Sequence, residues 1–390
     1  SALPSHGRGH WFDPSIAHDF VPLPKEKLLI AESPRSAYGT GSSGSFGEQA
    51  LDLIRRTLRR SNSPILGWIA RKVDAIARVY RPKYLPLQAR VVISLCQPID
   101  PLRHKRKLPA IDLVVPFVEK DLDSLALVLN HAELNVRNPI ERIILITPRN
   151  AEGTGPRFSK HNSQQILSDI LEAHPSAQLK FDQDILGAPI LAELEKRFGA
   201  GDRNAGWVTQ QLIKLSAALQ CRGTASLILD ADTVLLSRKT WLTQEGVQLL
   251  QVANEYHIDF MRHVEKFFGV FKTLRLSYVT HHQLMQRDVI REMFPTGAES
   301  LLAWWKSSND PIGRDLGDYE AYGSFVAEKY PRRVKFGSFA NLFSPQLTKF
   351  LGQIKAGRTP AEVIPGYCSV SFHSWAQVDR LERSTHDPKA

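Results

Sequence analysis

Two aspartates, two residues apart, interrupt an aliphatic run at Leu227-Ile-Leu-Asp-Ala-Asp-Thr-Val-Leu-Leu236. In an extended chain residues i and i+2 point the same way, which would set Asp230 and Asp232 on one side. Two like charges in so apolar a setting cost on the order of several kcal/mol per unpaired ion unless a cation neutralises them. Mg2+ or Mn2+ suits the task, because it prefers oxygen ligands and takes one or two protein carboxylates together with the oxygens of a bound diphosphate. The pattern therefore points to a metal–diphosphate site that stabilises negative charge developing on a nucleotide leaving group. The competing reading is a strand-end turn in which one Asp caps the next segment.

The segments around this pair indicate how it is carried. IDLVVPFV is a continuous apolar run of the kind found in a buried parallel strand; a helical pattern, DLDSLALVLNHAEL, and a second run, RIILITP, follow it. That is a βαβ unit. The alternation continues through the helix SQQILSDILEAH, a short strand QLKFD, the helices APILAELEKRF and TQQLIKLSAALQC, and the acidic strand itself. Strands alternating with helices predict an open α/β fold with a mostly parallel sheet flanked by helices and a ligand at the strand carboxyl ends.

Residues 1–45, rich in Gly, Ser, Pro and His, are expected to be extended or mobile, and 46–107 form a basic helical extension. The catalytic domain is expected over 108–376, with a tail at 377–390. The whole chain carries a net charge of +10 with a pI near 9.5. Much of that excess lies in Arg55, Arg56, Arg59, Arg60, Arg71, Lys72, Arg78, Arg81 and Lys83, set against Asp74 alone. Apolar residues there recur at helical spacing, so the segment reads as two amphipathic helices, docked on the catalytic domain or lying on an anionic membrane. Three cysteines without CxxC spacing argue against a disulfide framework or structural zinc, and no Asn-x-Ser/Thr acceptor occurs, which fits a cytoplasmic protein. There is no bilayer-spanning apolar run and no signal-peptide pattern at the start.

LDADTVLL resembles the Asp-x-Asp strand of GT-A-fold glycosyltransferases, close in form to the glycogenin-like branch. GWVTQQLIKLSAAL, SYVTHHQLMQRDVIREM and GDYEAYGSFV resemble signatures of a bacterial glycosyltransferase-like family. The resemblance covers about Asp112 to Trp375. It implies transfer of a sugar from a nucleotide-diphosphate donor, a UDP-sugar being the expected one, to a glycan or lipid-linked acceptor in polysaccharide or cell-envelope synthesis. The chain would be cytoplasmic, peripheral at the inner face of the membrane. Asp230 and Asp232 become metal ligands, with Asp230 also near the ribose, and His373 completes the shell unless it is a core histidine at a strand end. The first strand and its loop, with Pro116, Phe117 and Lys120, would hold the nucleotide. Lys214 or Arg203 would counter the diphosphate and Gln211 would contact the sugar, unless their helix is ordinary and its polar face wet. The acceptor's base would be Glu320 first and Asp318 second. His281, His282, Tyr319 and Trp304 would face the acceptor. The rival readings are a nucleotidyltransferase, although Pro116-Phe-Val-Glu-Lys-Asp is not a Gly-rich phosphate loop, and a non-catalytic membrane- or nucleic-acid-binding scaffold. No nucleic-acid-binding motif accompanies the charge.

Overall fold

The computed structural model describes residues 102, 107–150, 152–199, 203–253, 257–272, 276–339, 341–343, 347–364 and 367–372. Apart from Leu102 and Lys107, the basic extension lies outside these residues, as do both terminal segments expected from the sequence and His373.

Each apolar run becomes a buried strand. β1 (Ile111–Pro116) is buried along its whole length, and a 3-10 turn at Glu119–Asp121 leads into α1 (Leu122–Asn135). α1 buries Leu122, Leu125, Val128, Leu129 and Ala132, a spacing of three and four that makes one face. Next come β2 (Ile140–Thr147), α2 (Ser163–Ala173), β3 (Ala177–Phe181), α3 (Asp182–Leu186) and α4 (Ala188–Phe198). Pro189 in the first turn starts α4, and Gly199 at φ 68° ends it. α5 (Arg203–Leu219) then leads to β4 (Ala225–Leu229), β5 (Thr233–Leu235), β6 (Gln248–Val252) and α6 (Ile258–Phe268). The chain continues through β7 (His282–Gln286), α7 (Arg287–Met293), α8 (Ala298–Lys306) and α9 (Asp318–Lys329). The last elements are β8 (Val334–Ser338), β9 (Asn341–Phe343), α10 (Leu347–Lys355), α11 (Pro360–Val363) and β10 (Ser369–Ser371).

The main sheet has the order β3-β2-β1-β4-β7, parallel except for β7, which runs antiparallel to β4 with His282 opposite Leu229. The chain therefore has the α/β architecture with a mostly parallel, helix-flanked sheet that its alternating pattern indicates. β5 joins a separate small sheet, β5-β10-β9, and β6 pairs with β8. No described helix is long and apolar enough to cross a membrane.

One expectation fails here. Leu227–Leu236 is not a continuous strand: the chain turns at Ala231–Asp232, so β4 and β5 belong to different sheets. The turn is pinned from three sides. Asp230 N–H donates to the His281 carbonyl, Ser124 Oγ donates to the Ala231 carbonyl at 3.0 Å, and Phe372 N–H donates to the Asp232 carbonyl. Asp230 and Asp232 are thus presented by a turn, and the extended i, i+2 geometry does not apply to them.

Candidate active site

The carboxyl edge of the sheet gathers the charged groups. Asp121 follows β1 and Asp230 follows β4, while His281 immediately precedes β7, which starts at the same edge. α5 contributes Lys214 and α9 contributes Asp318 and Tyr319 from its first turn.

Asp230 is the hub. Its Oδ1 lies 2.7 Å from Lys214 Nζ and accepts from Tyr319 Oη at 3.0 Å; its Oδ2 lies 3.1 Å from His281 Nδ1. Lys214 Nζ also lies 3.3 Å from Asp318 Oδ2 and 4.3 Å from the centre of the Tyr319 ring. Burial alone would raise the Asp230 carboxyl, but Lys214 and His281 outweigh it and hold the group well below the usual carboxylate range. Asp318 goes the other way: burial raises it, and the nearby Asp230 charge adds to the rise against the pull of Lys214. Burial disfavours the Lys214 ammonium, yet the two carboxylates raise its pKa above the ordinary lysine value. Burial, with the Asp230 charge, pushes Tyr319 far up, so its hydroxyl stays a donor.

Asp121 is a third acid at this edge. Its Oδ2 accepts from the Val118 N–H at 3.0 Å. Burial pushes its carboxyl up to about 7, and the charges of Asp232 and Asp230 add to the rise against the pull of Lys120.

Several assignments need correcting. Asp230 itself does not need a metal for neutralisation, because Lys214 supplies positive charge and both Asp230 oxygens are already engaged. Among the described residues no three His, Cys, Asp or Glu side chains are grouped to hold an ion. Asp232, half-buried, accepts from Thr233 Oγ1 at 3.3 Å, and a single carboxylate suits a cation completed by substrate oxygens rather than a protein cage.

Glu320 is not placed to act as the base. It has no exposed surface, forms an ion pair with Lys272, and accepts from Tyr278 N–H at 3.0 Å and Ser324 Oγ at 2.8 Å. Trp304 is fully buried against His263 and Phe294, so it offers no platform to a sugar. His282 is buried edge-on to Trp241 and bonded to Ser369 Oγ, and burial lowers its pKa to about 3. That describes a neutral core imidazole, not an acceptor contact. Pro116 and Phe117 are core residues, the latter packed on Phe158. Gln211 Oε1 accepts from the Asp318 N–H at 3.0 Å, so it caps α9 rather than meeting a ligand. His281 and Tyr319 lie against Asp230. Lys120 sits half-buried at the mouth of β1, and Arg203 opens α5.

Two residues here carry more than their sequence positions suggest. Asp121 occupies, after β1, the same topological position that Asp230 occupies after β4, and this parallel was the available signal. Lys272, in the segment after α6, has no spacing that marks it as the partner of Glu320.

No protein-family model and no curated protein matches the chain. Among solved structures it is similar to mouse xyloside xylosyltransferase 1 in its apo form, at 10% identity over 68% of this chain and 98% of that one, with a TM-score of 0.38. It is also similar to the galactosyltransferase LgtC in complex with donor and acceptor sugar analogues, at 10% identity over 72% of this chain and 97% of that one, TM-score 0.35. The bifunctional glycosyltransferase WbbM in its apo form matches at 10% identity over 71% of this chain and 47% of that one, TM-score 0.35. Similarities of this order concern the path of the chain and assign no activity.

Proposed function

We propose that this protein is a glycosyltransferase that moves a sugar from a nucleotide-diphosphate donor to a glycan or lipid-linked acceptor, with Mn2+ or Mg2+ at Asp232. The observation that carries the reading is the buried Lys214 ammonium shared by Asp230 and Asp318 at the carboxyl edge of the parallel sheet, where ligands of open α/β folds bind. Asp318 Oδ2 is buried and pairs with Lys214 Nζ at 3.3 Å. A sugar ring offers hydroxyls that can donate to Asp318 and accept from Lys214 together.

Within this reading Asp230 does not titrate. Held ionised by Lys214 and His281, it fixes the ammonium and the Tyr319 hydroxyl in place. Asp318, with its raised pKa, is the group able to hold or release a proton beside the reacting sugar, which makes it the better candidate for the base. Asp232 would hold the cation, with His373 as the expected further ligand; bound there, the cation would neutralise the diphosphate and the charge on the departing nucleotide. A cytoplasmic, membrane-peripheral location would bring the basic segment 46–107 to an anionic surface. Co-flotation with anionic liposomes, lost on charge reversal at Arg55, Arg56, Arg59 and Arg60, is the expected result.

Calorimetry with UDP and other nucleotide diphosphates, with and without Mn2+, tests the central claim. Binding that requires the metal and disappears in Asp232→Ala supports it. Metal-independent binding, or none in the wild type, retires it.

A further inference from the structure

A cavity of about 440 Å3 lies against α5 and is lined from α7, α8 and the C-terminal end of α5. Its volume falls within the roughly 300–1,000 Å3 typical of small-ligand sites. Leu219, Phe294 and Leu301 give it an apolar wall. Two features set it apart from a packing gap. Arg291, exposed on α7, lines the same cavity, and no carboxylate among the described residues pairs with it. The neighbouring acids are engaged elsewhere, Asp288 with Arg333 and Glu292 with Tyr330. α8 also begins here: Ala298 lines the cavity, and no side chain caps the helix's first N–H groups.

We propose that this cavity binds a small anionic amphiphile, its apolar portion along Leu219, Phe294 and Leu301 and its carboxylate on Arg291 beside the start of α8. The chemistry is complementary at both ends. An apolar wall without a polar handle would accept any hydrocarbon, and a surface arginine alone would accept any anion; together they select a molecule that has both. The site is distinct from the acidic cluster. α5 supplies both, with Gln211 and Lys214 engaged at the cluster and Ser216 and Leu219 at the cavity.

The test uses the full chain with octanoate and octanol as probes, followed by calorimetry. The wild type is expected to bind octanoate at one saturable site and octanol more weakly. Arg291→Glu, a surface change, should weaken octanoate by about ten-fold or more, the loss expected for one charge-assisted hydrogen bond, and leave octanol unchanged. Ala298→Phe, which fills the cavity from a half-exposed helix position, should abolish both while leaving the melting temperature near the wild-type value. Absence of saturable octanoate binding in the wild type, or equal octanoate binding by the wild type and Arg291→Glu, overturns the proposal. The readout is binding alone, so its failure and the failure of the transferase reading are separate results.

Discussion

Lys214 decides what the acidic cluster is. A buried ammonium held between two carboxylates is tolerated because each charge compensates another, and removing one member leaves a buried charge alone. Lys214→Met should therefore destabilise the fold by about 3–5 kcal/mol in urea denaturation, the usual cost of breaking a buried ion pair from one side. Adding Asp230→Asn to that variant should restore part of the loss, giving a coupling energy of about 1–3 kcal/mol in a double-mutant cycle. Additive effects would mean that the ammonium and the carboxylate do not interact in solution. The sequence made Lys214 and Asp230 conspicuous but not their pairing, because the partnership joins a helix to a strand end. It also ranked Glu320 above Asp318. Once Asp318–Lys329 is a helix, residues two apart diverge by roughly 200° around its axis, so those two acids could not both face one site. Asp318 turns to Lys214 and Glu320 to Lys272.

At the scale of elements, the buried strands and their alternation with helices were legible because apolar runs of strand length have few other places to go. The break inside Leu227–Leu236 was not, since nothing in its composition separates a strand that continues from one that turns into a second sheet. α9 was hard to read for a related reason: every residue from Asp318 to Val326 is buried, so it lacks the polar face that marks an amphipathic helix. Its closeness to neighbours can be tested with a matched pair of substitutions. A Cβ on Gly323 would lie 2.4 Å from Tyr278 Cβ, whereas a Cβ on Gly352 in α10 meets nothing within 4 Å. Helix propensity alone favours alanine at both sites by about 1 kcal/mol. Gly352→Ala should gain about that amount, while Gly323→Ala should lose about 1–3 kcal/mol to overpacking. Thermal melts showing the same sign for both would mean that α9 does not pack this tightly on the Tyr278 segment.

Across the whole molecule, two buried groups push the pH dependence of stability in opposite directions. Asp121 rises from 3.8 to about 7 on folding, so between those values the folded chain binds more protons than the unfolded one and stability falls as pH increases. His282 drops from 6.5 to about 3, so the unfolded chain binds more protons and stability rises with pH over that interval. Each effect is on the order of 4 kcal/mol over its full range, and between about pH 4 and 6.5 the two nearly cancel. Single variants separate them. Asp121→Asn keeps an oxygen for the Val118 N–H and removes the penalty of a buried charge. Its stability relative to wild type should be level below pH 4, climb as pH rises, and plateau above pH 7, when measured by urea denaturation in chelator. His282→Gln carries a constant packing cost, but its stability relative to wild type should improve as pH falls from 6.5 toward 4. Carboxylates held low in the fold, Asp230 foremost, lose their contribution as pH falls below about 5 in the wild type and in both variants, so the comparison with wild type removes it. Parallel pH profiles for the two variants would place Asp121 or His282 in contact with solvent, and for Asp121 that would remove the third acid from the edge of the sheet where the transferase chemistry is proposed.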